Sequence, residues 1–179
     1  REDSRVLRHR NRQVYNHLSS PSVVWNPQAE IWYLYFHTYH NLWESGQGHQ
    51  QTYLATCRDL ATHQWDTLTN PDGTWKIVLP VSKEDWMNSQ SSYHGIYRLP
   101  NGTWLAFMRG TGGEYDGVDW SQDPTRIGIA TSNDGINWSY LSQNPILHQE
   151  DGSGGPLGDY APEFIGYLGK NSNGNDEYL

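Results

Sequence analysis

The sequence predicts an all-β fold, a β-propeller of repeated four-stranded blades, on three observations. Helix signals are almost absent: no stretch keeps apolar residues at i, i+3, i+4 and i+7 over three turns between caps. Short β-branched and aromatic runs recur instead, each bounded by Gly, Pro, Asn or Asp. The chain also resembles itself at a spacing of about 70 residues, and a repeat of that length is one supersecondary unit.

In chain order the expected strands are residues 22–25, 31–37, 51–56, 95–99, 104–109, 126–131 and 163–168. Turns separate them at Asn26-Pro27, Asn70-Pro71-Asp72-Gly73, Pro100-Asn101-Gly102, Asn133-Asp134-Gly135 and Asn144-Pro145. These residue types supply a fixed or positive φ, or a side chain that bonds its own backbone.

The repeat pairs Ala55-Thr56 with Ala130-Thr131, Trp65 with Trp138, and Tyr33 with Trp104. Each unit reads strand, turn, strand, long loop, strand, a turn with Asp and Trp, strand. A four-stranded repeat is a propeller blade. A sandwich of short strands explains the strands but not the matched Asp and Trp positions, so the propeller is preferred. Trp65 and Trp138 are expected to pack between blades. The units run over about residues 15–80, 88–148 and 159–179, which makes roughly two and a half blades. Residues 1–14 are expected to be an Arg-rich tail or part of a further element. Because so few blades cannot close a ring, and the first residue is Arg, the expectation is a fragment or copies that associate through exposed blade edges.

Composition narrows the function classes. Aromatics make up 13% of the 179 residues, so the chain can bury enough area to offset its ordering entropy. The net charge is −8, and five arginines lie in the first dozen residues, leaving an acidic body. That argues against a nucleic-acid partner. The longest apolar run is residues 31–36, far short of a helical span, so no membrane partner is expected. Cys57 is the single cysteine and has no internal disulfide partner, which leaves the redox compartment open. The expectation leans to an extracellular or periplasmic location.

Three segments resemble a known group. Ser20-Pro21-Ser22-Val23-Val24, followed by Trp32-Tyr33-Leu34-Tyr35-Phe36-His37, looks like the opening blade of five-bladed propeller glycosidases. The stretch Ile127-Gly128-Ile129-Ala130-Thr131-Ser132-Asn133-Asp134-Gly135-Ile136-Asn137-Trp138 is similar to a blade strand and turn of glycoside hydrolase families 43, 32 and 130. Tyr160-Ala161-Pro162-Glu163-Phe164 resembles an inner-strand start of family 43. The resemblance implies a five-bladed propeller of the glycosidase type and hydrolysis of a glycosidic bond in an oligo- or polysaccharide. Carboxylates at inner-strand starts would give a proton to the leaving oxygen and activate the attacking group.

Of the three inner-strand starts, Ser20-Pro21-Ser22, Tyr93-His94-Gly95 and Ala161-Pro162-Glu163, only the last carries a carboxylate. Glu163 is the catalytic candidate, as acid or as the group that tunes it. Candidate substrate-binding residues are His37, His40, Trp43, His94, Arg109, Asp116, Trp120 and Tyr160. In a meander, the starts of first strands and the ends of second strands share one end. Loops 37–50 and 109–125 therefore belong there, where aromatic faces stack on sugar C–H surfaces and polar groups bond hydroxyls. His37, His40 and His49 lack a metal-ligand spacing, and no cofactor is expected. A structural calcium ion at Asp116, Asp119 and Asp123 stays open, although the loop lacks the EF-hand pattern. Two rival readings stay open as well. One is a non-catalytic carbohydrate-binding propeller, favoured by the missing acids at two strand starts. The other is an assembly protein built from partial propellers.

Overall fold

The computed structural model describes residues 18–39, 50–81, 86–87, 90–111, 125–148 and 167–178. They form strands β1 (Ser19–Asn26), β2 (Ile31–Tyr39), β3 (Gln50–Cys57), β4 (Asp66–Thr67), β5 (Ile77–Leu79), β6 (Gln90–Arg98), β7 (Trp104–Thr111), β8 (Thr125–Ser132), β9 (Trp138–Tyr140), β10 (Leu147–His148), β11 (Tyr167–Lys170) and β12 (Asp176–Tyr178). A single 3-10 turn at Leu60–Thr62 is the one helical element among the described residues, capped by the Asp59 side chain. The N-terminal segment 1–14, and residues 163–166 of the last expected strand, lie outside the described residues.

Pairing runs β1-β2-β3-β6-β7-β8-β10, with β4 and β5 also on β3 and β9 on β8; β11 and β12 pair separately. The join between β3 and β6 is one parallel bridge, Gln50 with Gln90, whereas β2 and β3 pair from Trp32–Cys57 to Tyr39–Gln50. The ten strands are therefore two antiparallel meanders, β1–β5 and β6–β10, touching at one backbone point. These are two blades, and β11–β12 is a separate hairpin in the segment where the repeat expects a third.

The tight turns share one chemistry. Leu99 N–H donates to the Thr103 carbonyl at 2.8 Å and Gly102 N–H to the Leu99 carbonyl at 2.9 Å. The same two bonds close Asn70–Thr74 and Asn171–Asn175. This is a type I turn followed by a left-handed residue, a position that Gly73, Gly102 and Gly174 occupy at φ 83°, 92° and 77°. The short strands β4 and β9 take the place of the expected fourth strand of each unit, whereas β5 and β10 were not foreseen, because two or three residues carry no readable alternation.

Alternation along β2 divides the core. Tyr33 and Tyr35 face the second blade and pack with Leu54, Ile96, Trp104, Ala106, Met108 and Ala130. Leu34 and Phe36 face the other way, onto Tyr53, Ala55 and Trp75, with Trp65 packed against that cluster. Tyr33 stacks on Trp104 at 5.3 Å, and Trp138 meets Tyr35 edge-on at 6.2 Å, so Trp138 packs between blades as expected. Trp86 is buried over the two glycines of β7 and β8: a Cβ at Gly110 would stand 2.5 Å from its ring, and one at Gly128 would overlap it.

The turn after β8 ties the blades together. Asp134 accepts from Ile136 N–H and Asn137 N–H, both at 2.8 Å, from Asn137 Nδ2 at 2.7 Å and from Ser132 Oγ at 2.9 Å. Desolvation pushes its carboxyl up, but the bonds from Asn137, Ile136 and Ser132 outweigh it and hold the pKa at about 2. The fixed turn presents the Gly135 carbonyl, which accepts from Tyr35 of the first blade at 2.8 Å and from Trp138 Nε1 at 3.1 Å.

Candidate functional site

Buried polar residues gather at one end of the strands. Among the described residues they are His37, Thr38, Gln50, Thr52, Gln90, Ser91, Ser92, His94, Arg109 and Thr111, with just Asn26 and Ser132 elsewhere. The register places them together: Tyr39 pairs with Gln50, Gln50 with Gln90, Gln90 with Thr111, and Thr111 with Thr125. A buried polar band is costly unless its groups bond each other or a ligand, so its concentration at one end marks that end. The same strand ends are joined by residues 40–49 and 112–124, which is the placement that the meander argument predicts.

Both inner strands reach this end through an extra residue. On β1 the pairing moves from Ser19–His37 to Ser22–Tyr35, three residues against two. On β6 it moves from Ser92–Arg109 to Gly95–Phe107, again three against two. The bulges occupy equivalent places in the two blades, at Ser20-Pro21 and Tyr93-His94. Ser20 takes φ 50°, a left-handed conformation that a non-glycine residue adopts at a cost. Bulges re-aim side chains, and here they do so at the strand starts that the sequence singled out. His37 and Arg109 also take equivalent places, each opposite the serine that precedes a bulge.

His94 sits on the second bulge and is 7% exposed. Its Nδ1 lies 3.1 Å from Thr52 Oγ1, which itself donates to the Ser91 carbonyl at 3.1 Å. Its Nε2 makes no hydrogen bond. The Tyr35 ring meets the imidazole edge-on at 6.3 Å. Burial lowers the pKa to about 4 against a weaker raising contact with the Tyr35 backbone, so the ring is neutral at pH 7. On the next strand Thr111 Oγ1 donates to Gln90 Oε1 at 3.2 Å, while Gln50 Oε1 and Ser92 Oγ are buried without a hydrogen bond.

Of the residues foreseen from sequence, the structure brings His37, His94 and Arg109 to this end, all buried. Glu163, His40, Trp43, Asp116, Trp120 and Tyr160 lie outside the described residues, as do Asp119 and Asp123. Among the described side chains no carboxylate stands at the polar end: Glu30, Asp59, Asp66, Asp72 and Asp134 all lie in turns or outer strands away from it. No group of three or more His, Cys, Asp or Glu suited to a metal occurs among the described residues. No helix there is long and apolar enough to cross a membrane. Sequence reasoning missed Gln50, Thr52, Gln90, Ser91, Ser92 and Thr111. The signal available was the repeat: Thr52 pairs with His37 where Ile127 pairs with Arg109, a hydroxyl in one blade against an aliphatic group in the other.

No family model and no curated protein matches the chain. Solved structures do match it. BT0996, in a complex with RGII, superposes with a TM-score of 0.60 at 18% identity, covering 85% of this chain and 44% of that protein. An N-acetylgalactosamine deacetylase from F. plautii, in complex with blood group B trisaccharide, gives 0.59 at 16% identity, covering 88% and 37%. A β-fructofuranosidase from Schwanniomyces occidentalis, complexed with fructosyl-erythritol, gives 0.51 at 19%, covering 74% and 24%. The fold is a β-propeller of the five-bladed glycosidase type. About two and a half blades are present, and the chain spans less than half the length of each of these structures. At these identities the likeness establishes the fold.

Proposed function

We propose that the protein is glycoside hydrolase-like and acts on an oligo- or polysaccharide by acid–base attack at the anomeric carbon. The observation that carries this reading is the buried polar band at the bulged inner-strand starts, on a fold shared with glycoside hydrolases. In the reaction a carboxylic acid gives its proton to the glycosidic oxygen as the C1–O bond breaks. A carboxylate attacks C1 itself or takes a proton from the attacking water. Glu163 is the proposed acid or its modulator. His37, His94 and Arg109 are proposed to bond sugar hydroxyls, joined by His40, Trp43, Asp116, Trp120 and Tyr160. The proposed partner is a carbohydrate, met outside the cytoplasm.

The test is hydrolysis of a panel of 4-nitrophenyl glycosides and plant oligosaccharides by the wild type and by Glu163→Gln. Loss of turnover in the variant with its melting temperature unchanged supports the assignment; equal turnover removes Glu163 from the mechanism.

A second reading has its own support. The described part of the polar end holds no carboxylate, and a propeller that binds saccharide without cleaving it needs none. Calorimetric binding of an oligosaccharide that the protein leaves intact would favour it.

A further inference from the structure

We infer that Thr52 sets the tautomer of His94, holding the ring proton on Nδ1 and leaving Nε2 as an acceptor for a saccharide hydroxyl. A threonine hydroxyl has one proton and two acceptor lone pairs. Assigning that proton to the Ser91 carbonyl at 3.1 Å makes the ring the donor in the equally long contact between His94 Nδ1 and Oγ1. A neutral imidazole carries one N–H, which leaves Nε2 with its lone pair. With the proton on Nδ1, Nε2 is a buried acceptor without a hydrogen bond, and the other polar neighbour of the ring is the Tyr35 backbone.

The repeat supports a role for the hydroxyl beyond folding. In the second blade the equivalent residue is Ile127, paired with Arg109 as Thr52 is paired with His37. The blade tolerates an aliphatic side chain at this place, and only the first blade faces the His94 bulge with a hydroxyl. Thr52 is thus a positioning residue: it acts through His94. What Nε2 accepts from rests on reading the polar end as a saccharide site; the tautomer itself does not.

The experiment is long-range 1H–15N correlation of the uniformly labelled full chain at neutral pH, with His94 identified by its loss in His94→Gln. The expected result is a protonated, pyrrole-type Nδ1 and an unprotonated, pyridine-type Nε2. Thr52→Val, which mimics the Ile127 environment, should shift the ring severalfold toward Nε2–H, and Thr52→Ser should restore the wild-type pattern. The opposite arrangement, with Nε2–H turned to the Tyr35 backbone in the wild type, overturns the inference; so does a tautomer that Thr52→Val leaves unchanged. If the tautomer is as expected but no saccharide is bound or cleaved, the functional reading fails and the role of Thr52 stands.

Discussion

The Tyr35 hydroxyl, on the second strand of the first blade, donates at 2.8 Å to the Gly135 carbonyl in the turn between β8 and β9 of the second blade. The two residues are 100 positions apart in the chain. Tyr35 is fully buried, and burial drives its hydroxyl pKa far above the ordinary range, so it remains a donor at every accessible pH. Removing that donor with Tyr35→Phe should cost about 1 kcal/mol, toward the low end because Trp138 Nε1 still serves the same carbonyl. Gly135→Ala should cost more. Its φ is 75°, and a Cβ would stand 2.6 Å from the Tyr35 hydroxyl. Urea unfolding of both variants checks the order.

Asp134 offers an acid-side prediction. Its folded pKa of about 2 lies below the ordinary 3.8, so its contribution is full above about pH 4 and is lost as pH falls toward 2. Asp134→Ala should destabilise at pH 7 by about 1–2 kcal/mol, since a mostly solvated carboxylate loses its bonds to the turn at a discount. Wild type and variant should converge in stability near pH 2, which denaturant curves across that range would show.

His94 titrates in the same sense, but burial rather than bonding to the charged form is what holds off its proton. The folded ring resists its proton down to about pH 4, against an ordinary 6.5. The unfolded chain therefore binds the extra proton first, and stability falls as pH drops from about 6.5 to about 4, by about 3 kcal/mol. His94→Gln should lose this component. The stability difference between wild type and variant, measured at pH 7 and pH 4.5, should shift against the wild type in acid.

The Trp86 ring lies against Gly128 so closely that a methyl group has no room. Gly128→Ala should cost about 1–3 kcal/mol through overpacking. Adding Trp86→Leu should recover part of that loss, because the side chain that clashes is gone. A double-mutant cycle by thermal unfolding reads the coupling directly.

How much of this was legible in the sequence depends on which signals survive a single residue of slippage. The two blades were readable because Trp65, Trp138 and the Ala-Thr pairs recur at one spacing, and Gly102 and Gly73 mark turns that require a positive φ. The bulges at Ser20-Pro21 and Tyr93-His94 were not, because one extra residue changes which face a side chain takes without changing composition. His94 could be flagged as a histidine at a strand start. Its partner Thr52 looked like any β-branched strand residue, and only the three-dimensional pairing of two blades shows its hydroxyl between the Ser91 carbonyl and the ring.

The single bridge between Gln50 and Gln90 bears on how the molecule assembles. Each meander closes its ladders between near neighbours in the chain, over separations far below the 100 positions between Tyr35 and Gly135. The contacts between blades are made by side chains and one backbone pair, across much longer separations. Local pairing is fast and long-range docking slow. Hairpins should thus form ahead of the Tyr35–Gly135 bond, and blade docking should limit the folding rate.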